Sequence, residues 1–396
     1  MKRPSILLLI TFLFGIFIVL ALHIAAPKKE NHKHAGFERE FAPEGFIQAI
    51  DTLDLGRHGY YFAGVDSTRV FLANRSAVGY ILEINTENLQ DTTYHIIQAN
   101  SLKYKALDIK VNPPYFFLMD GIMPFIYRGN TTDWEAKFYI NNVYFNSALP
   151  LSDSSFALIG INSLKSDIYK LTHGQNQIEK FPELLEAQGG DGIFSTDGTL
   201  YYDQKTQQLV FLYYYRNQFI CTDTNLQLKY RGTTIDTISR AKIKVDKISS
   251  ENSLTMSAPA LKVNNRASIY NNLLFNNSNL LAANEDSDRF EKASVIDAYD
   301  LSEGDYRYSF YIPLHEEKKI KAFKVVEDHI LLALYDHDLV RYHLHPSLDK
   351  PSTKKIDDQI AERLTYMPEH NNKFFYKTIT NNSSKTQKYP DVSHGG

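Results

Sequence analysis

The sequence predicts an all-β fold, a six-bladed β-propeller preceded by one N-terminal transmembrane helix, and three observations support this prediction. An apolar segment lies within the first 26 residues, and short strand-like runs separated by turn residues come after it. A strand-end pattern recurs at a spacing of about 45 residues, which is typical of propeller blades. The chain also carries 26 Tyr and 24 Phe against one Trp, and aromatic residues favour strands.

The first element is the apolar segment, in which Lys2 and Arg3 precede a run from Ile6 to Ala26. A helix needs about 20 apolar residues to cross a bilayer. A cleaved signal peptide has a shorter apolar region, usually about 7–15 residues, and ends at a small-residue cleavage site. We therefore expect residues 1–26 to be a retained signal anchor. A cleaved signal peptide and a buried core helix are the alternatives.

The orientation of this anchor follows less directly from charge. Lys2 and Arg3 on one side are matched by Lys28, Lys29 and Lys33 on the other, and positive charge is retained in the cytoplasm. No second run of 18 apolar residues returns the chain across the membrane. The sequence therefore predicts a single-pass protein of the cytoplasmic (inner) membrane with its C-terminal domain in the periplasm.

The blades are predicted from a recurring landmark, an apolar strand that ends in a polar turn. Its period of about 45 residues is the length of a four-stranded blade. One blade cannot bury both of its faces alone, so the blades are expected to stack in a closed ring. A stretch at 239–268 lengthens one step and is interpreted as an insertion, and the strand at 45–53 is expected to close the ring. The six strand ends lie near Asn85, Gly129, Thr172, Asp223, Asp300 and His345.

These elements divide the chain into four predicted segments. The polar residues after the anchor indicate a linker, and the mixed C-terminal composition indicates a partly disordered extension. Pairs of adjacent asparagines, such as 141–142, 264–265, 271–272 and 276–277, are expected to form tight turns. The segments are an anchor at 1–26, a juxtamembrane linker at 27–44, the propeller at 45–348 and a C-terminal extension at 349–396.

Composition excludes some classes of function. The net charge of −3 gives no strongly basic face, so we expect no nucleic-acid partner. Cys221 is the only cysteine, so the chain has no internal disulfide, and its strand-like surroundings predict a buried residue and not a nucleophile.

Three stretches resemble a known group: STRVFLANRSAVGYILEINTENLQD, NNLLFNNSNLL and SVIDAYDLSEGDYRYSFYIPL. They look like blade signatures of membrane-anchored six-bladed propellers of the TolB-like or NHL-like kind found in Bacteroidetes envelopes. The resemblance covers about 57–348, with D-L-x-x-G-x-Y at 300–306. It implies the fold. No activity is established for the group, so the resemblance implies no catalytic residue.

The densest cluster of possible metal ligands is DHDLVRYHLHP, which holds Asp336, Asp338, His343 and His345. The two histidines are two positions apart and so share one face of a strand. Histidine pairs on one face can bind zinc or copper, and the two aspartates are further candidates of the same cluster. A polar, solvent-facing blade edge is the alternative interpretation.

Two other stretches admit both a functional and a structural interpretation. NEDSDRFE at 284–291 offers oxygen ligands for calcium, or forms a plain loop between two strands of a blade. FLYYYR at 211–216 offers aromatic stacking to a ligand, or fills the space between blades. We favour the structural interpretation of both.

The sequence thus favours a non-enzymatic binding or scaffolding module that engages an envelope protein or a peptide, without a cofactor. The alternative is a metal-dependent hydrolase of the six-bladed lactonase type, with carboxylate and Asn ligands around the central channel. A third possibility is a sensor or assembly factor coupled to other membrane proteins through its anchor. Fold analogy by itself does not choose among them.

Overall fold

The computed structural model describes nine stretches of the chain: 11–21, 36–66, 68–99, 102–162, 165–174, 178–188, 192–248, 253–327 and 329–345. The predicted C-terminal extension at 349–396 lies outside them. Of the predicted anchor, only 11–21 is described, as a helix with exposed side chains. Within the described residues, no helix has the length and apolar character needed to span a membrane.

Six four-stranded antiparallel sheets form the blades of the described chain, and they confirm the predicted all-β, six-bladed propeller. Within each of the first three blades the strands are arranged in sequence order. These strands are β2 (Tyr60–Val65), β3 (Arg69–Asn74), β4 (Tyr80–Asn85), β5 (Thr92–Ile96), β6 (Asp108–Asn112), β7 (Tyr115–Asp120), β8 (Phe125–Asn130), β9 (Ala136–Asn141), β10 (Ser147–Pro150), β11 (Ser155–Asn162), β12 (Lys165–Thr172) and β13 (Glu179–Phe181).

The fourth and fifth blades repeat this order, and the sixth is built from both ends of the propeller. Strand β1 (Ile47–Asp54) is its outer strand. The remaining strands are β14 (Gly198–Asp203), β15 (Gln208–Tyr213), β16 (Gln218–Asp223), β17 (Leu228–Thr233), β20 (Asn264–Tyr270), β21 (Leu273–Ser278), β22 (Ala293–Asp300), β23 (Tyr306–Pro313), β24 (Ala322–Glu327), β25 (Ile330–Leu334) and β26 (Asp338–Leu344).

Each predicted landmark coincides with the end of the third strand of a blade. Strands β4, β8, β12, β16, β22 and β26 end at or within one residue of the six predicted positions. The third strand lies between two other strands of its sheet, so it carries buried apolar residues and ends at a polar turn. This is why a single landmark identifies all six blades.

The predicted closing strand is confirmed. Strand β1 pairs antiparallel with β26, and Leu53 lies opposite Leu339. The pairing joins the two ends of the propeller and leaves the third strand of the sixth blade with partners on both sides. It also covers the edge of β26, which unpaired would be a site of aggregation.

The long step between the fourth and fifth landmarks contains two additions. A separate hairpin, β18 (Val245–Ile248) with β19 (Ser253–Met256), lies between the two blades. A short helix, α1 (Ser287–Glu291), lies between β21 and β22. The predicted insertion at 239–268 overlaps the fifth blade, because Asn264 already begins β20 and lies opposite Ser278.

The segment before β1 differs from a solvated linker. Residues 36–44 of the predicted linker are described, and they pack against the fifth blade. Arg39 is 2% exposed, and the rings of Phe41 and Tyr311 stack at 4.6 Å. A parallel bridge joins Phe41 to Ser309 in the outer strand of that blade. The composition of this segment is polar, yet the charge of Arg39 is buried with partners from the blade.

The asparagine pairs are of two kinds. Asn271 and Asn272 have positive φ (47° and 67°) and make the tight turn that was predicted. Asn264 and Asn276 instead lie inside strands, fully buried, and the Asn276 Nδ2 donates to the Asn264 Oδ1 at 2.7 Å. The Asn264 Nδ2 donates to the backbone carbonyls of Tyr213 and Arg216 at 2.8 and 3.0 Å, and such hydrogen bonds offset the cost of burying an amide. The turn prediction is therefore wrong for the 264–265 and 276–277 pairs.

The hydrophobic core lies between neighbouring blades. One cluster joins Phe71 and Ile81 of the first blade to Phe116 and Leu118 of the second, with Trp134 stacked on Phe116 at 5.1 Å. Similar clusters fill other described blade interfaces. Since each blade buries its faces only against its neighbours, the ring as a whole is the stable unit.

Candidate functional site

The first strand of each blade lines a central channel, and this channel is the candidate site. Its cavity measures about 1590 Å³, whereas typical small-molecule pockets are about 300–1,000 Å³. Each blade begins at its inner strand and alternates direction through four strands, so all six inner strands run the same way. Residues at matching positions therefore lie at similar depths. The inner strands are β2, β6, β10, β14, β20 and β24.

Hydrogen bonds between inner strands of adjacent blades hold the channel wall together. The Tyr61 hydroxyl accepts from the backbone N–H of Ile109 at 3.0 Å, and the Tyr201 hydroxyl accepts from that of Ala267 at 2.9 Å. The Ser268 hydroxyl accepts from the N–H of Val325 at 3.0 Å. Burial raises the pKa of Tyr201 above its ordinary value, so it stays protonated. These bonds satisfy backbone donors that no blade strand pairs.

The channel is more basic than the chain as a whole. Of its described lining residues, seven are Lys or Arg and four are Asp or Glu, whereas the whole chain has a net charge of −3. The third position of the inner strands shows the arrangement best. That position is occupied in turn by Phe62, Lys110, Leu149, Leu200, Arg266 and Lys324.

We call Lys110, Arg266 and Lys324 the cationic layer. The Lys110 Nζ lies 3.0 Å from a carboxylate oxygen of Asp108. Arg266 is exposed to the channel, and among the described residues neither it nor Lys324 forms an ion pair. Burial, together with the charge of Lys110, lowers the pKa of Lys324 to about 8. The layer thus concentrates positive charge in the middle of a cavity.

Asp120 organises the loops beside the channel in the second blade. Its side chain is fully buried and accepts from the backbone N–H groups of Lys105 and Ala106 at 2.6 and 2.7 Å. It also accepts from Ile122 and Met123 at 2.8 and 2.9 Å. Burial acts to raise the pKa of Asp120, but these four donors hold it below its usual value. One carboxylate therefore shapes two rim segments.

The four residues predicted as possible metal ligands do not come together. Asp338 and His343 are five positions apart in β26, which separates them by roughly 17 Å along the strand. Asp336 pairs with Lys321. The ring of His343 lies 5.2 Å from that of His345, at the opposite end of the strand.

Asp338 instead meets a partner from another loop. Its Oδ2 lies 3.3 Å from the His315 Nε2, and one ligand atom each from His315, Glu316 and Asp338 falls within 4.8 Å of the others. One histidine and two carboxylates offer zinc-type donors. None of the three is among the channel-lining residues. Sequence spacing gave no signal for this group, because the propeller topology brings its two segments together.

The other candidate stretches serve the fold. Cys221 is buried, as predicted, and burial raises the pKa of its thiol. Phe211 and Tyr213 are about 1% exposed and belong to a hydrophobic cluster shared by the third and fourth blades. In the 284–291 loop, Glu285 lies 2.6 Å from Arg39, and Asp286 caps α1 by accepting from the Arg289 N–H. The structural interpretation holds for each.

No family model matches the sequence, and no curated protein matches it. Among similar solved structures is a nidogen/laminin complex, with 12% identity and a TM-score of 0.41 over 68% of this chain and 84% of that one. A member of the DUF4221 family from Bacteroides vulgatus shows 11% identity and a TM-score of 0.46, over 75% and 97% of the two chains.

Raptor from Chaetomium thermophilum is also similar, with 11% identity and a TM-score of 0.43, over 78% of this chain but 30% of its own. Identities of 11–12% with TM-scores below 0.5 carry no argument about function. The propeller assignment rests on the strand pairing described above, and the functional argument rests on the channel.

Proposed function

We propose that this protein is a non-enzymatic binding or scaffolding module that engages an envelope protein or a peptide at its central channel. In this proposal the N-terminal segment tethers it to the cytoplasmic membrane and the propeller lies in the periplasm. The TolB-like or NHL-like resemblance is part of the same proposal. A cavity of about 1590 Å³, lined by both basic and apolar side chains, is the observation that carries it.

The size and composition of the channel suit a chain segment better than a small substrate. The cationic layer shares its level of the ring with Phe62, Leu149 and Leu200, so polar and apolar groups are offered at one depth. A peptide presents both kinds of group in close succession. Mixed surfaces of this kind give specificity through the polar contacts and burial through the apolar ones.

A metal-dependent hydrolase is not proposed. Among the described residues, the group of three His, Asp and Glu side chains with metal-binding geometry lies outside the channel lining. The channel lining itself holds no described set of three converging carboxylate or histidine ligands. The cluster with metal-binding geometry therefore lies away from the channel, where the hydrolase hypothesis places its ligands.

Site-specific photocrosslinking tests the binding site. A photoreactive amino acid replaces Tyr104, which lines the channel mouth and is 46% exposed. The matched control replaces Phe138, which is 55% exposed on the outer strand β9. We expect a discrete crosslinked product in living cells from Tyr104 and none from Phe138. Equal products from both positions, or none from Tyr104, would contradict a channel-centred partner.

A reporter fusion tests the location. Alkaline phosphatase, which needs an oxidising compartment to become active, is fused after residue 345 of the full-length chain. The proposal expects active enzyme in the membrane fraction. An inactive fusion, or activity released into the soluble fraction, would overturn the periplasmic location or the tether respectively.

A further inference from the structure

We propose that the cationic layer binds carboxylate groups of an acidic peptide segment that enters the channel. This inference rests on the proposed function, because it names the chemistry of the partner at the same site. It adds that Lys110, Arg266 and Lys324 act together, one each from the second, fifth and sixth blades. They lie at a similar depth, since each is near the start of its inner strand and all three line the same cavity.

Hydrogen bonds between the inner strands support this common depth. The Val325 N–H, next to Lys324, donates to Ser268, two residues beyond Arg266. The Ala267 N–H, next to Arg266, donates to Tyr201 in the neighbouring blade. The fifth blade is therefore held in register with both of its neighbours close to Arg266. Both cations line the same cavity.

The layer lacks the negative charge that would balance it. The Lys110 Nζ lies 3.0 Å from a carboxylate oxygen of Asp108. Among the described residues, no carboxylate lies within ion-pair distance of Arg266 or Lys324. Lys324 is only partly exposed, and an ammonium removed from water without a carboxylate is costly to the fold. The depressed pKa of Lys324 reflects this cost. A carboxylate placed beside Lys324, where Lys110 adds its positive charge, supplies the missing partner.

The remaining lining favours a peptide over a polyphosphate or nucleic acid. Asp66, Asp203 and Glu327 also line the channel, and they repel the charges of a phosphate backbone, which are fixed along the chain and cannot turn away as flexible glutamate side chains can. Phe62, Leu149 and Leu200 lie at the same depth as the cations and offer apolar contacts that a phosphate backbone does not use. A peptide with spaced carboxylates and intervening apolar atoms meets both halves of the layer.

Peptide binding to the propeller tests the inference. Fluorescein-labelled hexaglutamate, hexaserine and hexalysine are titrated with the full-length protein in detergent, and fluorescence anisotropy gives the dissociation constants at pH 7. We expect hexaglutamate to bind and the other two to bind at least about tenfold more weakly, since tenfold corresponds to one charge-assisted contact. Raising the salt concentration should weaken the binding.

Three variants locate the binding. Lys324→Gln and Arg266→Gln should each weaken hexaglutamate binding about tenfold or more. Lys137→Gln on the outer strand β9, where the side chain is 76% exposed, should leave it unchanged. Thermal melts check that the variants fold, and Lys324→Gln is expected to fold because it removes a desolvated charge.

The outcomes separate the two proposals. Equal weakening by Lys137→Gln, or hexaglutamate binding that survives both layer variants, would show that the acidic peptide binds elsewhere and would overturn the inference. Crosslinking at Tyr104 without any hexaglutamate binding would overturn the inference and leave the binding module standing. Absence of both crosslinking and peptide binding would overturn both.

Discussion

Arg39 and Asp297 form a two-pronged ion pair across 258 positions of the sequence. The Arg39 Nε donates to the Asp297 Oδ1 at 2.8 Å, and the Nη2 donates to the Oδ2 at 3.2 Å. Glu285 and the backbone carbonyl of Leu280 accept from the Nη1 at 2.6 and 3.0 Å. The segment before the propeller is thereby fastened to its fifth blade. A charged residue in an apparently solvated linker becomes part of the core.

Removing Arg39 should destabilise the propeller strongly. Arg39→Met leaves the buried carboxylates of Asp297 and Glu285 without their cation, and a broken buried pair costs about 3–5 kcal/mol. Chemical denaturation measures the free energy of unfolding. The matched control is Arg307→Met in the same blade, where Arg307 is 31% exposed and pairs with Asp300 at 2.6 Å. It should cost at most about 1 kcal/mol, and equal losses would contradict the distinction.

Closure of the ring by β1 can be tested by truncation. A variant that begins at residue 36 keeps both β1 and the segment that Arg39 holds against the fifth blade. A variant that begins at residue 45 keeps only β1, and one that begins at residue 57 keeps neither. We expect the first to be the most stable and the second to lose the contribution of Arg39. The third exposes the edge of β26 and should aggregate, since unpaired edges associate. Size-exclusion chromatography with light scattering measures the oligomeric state of the three variants, and thermal melts measure their stability. If the variant that begins at residue 57 is monomeric and melts cooperatively, closure of the ring by β1 is refuted.

Asp120→Asn should lower stability at neutral pH by about 1–3 kcal/mol, because a neutral amide replaces a carboxylate that accepts four backbone N–H groups. The folded pKa of Asp120 lies below its ordinary value. Its stabilisation is therefore present above the unfolded pKa of about 3.9 and is lost as the pH falls through the lower folded pKa.

Unfolding measured between pH 7 and pH 3 should show the difference between wild type and Asp120→Asn shrinking as the pH falls. Asp133→Asn is the control, since Asp133 accepts a backbone N–H at an exposed turn. A difference that stays constant over this range would show that the loss is steric and not electrostatic.

Lys324 should titrate near pH 8, well below an ordinary lysine. The charged groups that line the channel on the inner strands around Lys324 are Arg266 on β20 and Lys110 and Asp108 on β6, with Glu327 at the end of its own strand. NMR of the protein with ¹³C-methylated lysines should show one resonance with this midpoint, and Lys324→Arg should remove it. Addition of hexaglutamate should raise the midpoint.

The same shift makes a prediction about stability. The pKa of Lys324 in the folded state lies below its unfolded value of about 10.4. At a pH where the lysine is charged in both states, its charge therefore lowers the free energy of unfolding. Wild type should gain stability relative to Lys324→Met as the pH rises from about 8 to about 10. A stability difference that does not change with pH would contradict the desolvated environment of Lys324.

The location of the predicted elements could be read from local pattern. Each blade's third strand carries apolar residues and ends at a polar turn, so Asn85, Thr172 and Asp300 mark strand ends without any knowledge of packing. The closing strand could be inferred because a ring must pair its last edge with something, and 45–53 lay outside the first complete blade. Cys221 in a strand-like stretch was expected to be buried.

Other features depend on contacts between residues distant in sequence, which local pattern does not encode. The pairs Asn264–Asn265 and Asn276–Asn277 have the composition of turns, yet Asn264 and Asn276 bond each other inside a blade. The metal hypothesis grouped Asp338 with His343 by sequence proximity, whereas the strand separates them and the fold pairs Asp338 with His315.

The sequence by itself determined the all-β architecture, the blade period and the strand that closes the ring, because hydrophobic alternation and turn residues act over a few positions. Only the tertiary structure decided that Arg39 is buried against the fifth blade and that Lys110, Arg266 and Lys324 share one layer. Those relationships arise when a closed ring brings inner strands from separate blades around one axis. Charges that look unremarkable along the chain then face a common cavity.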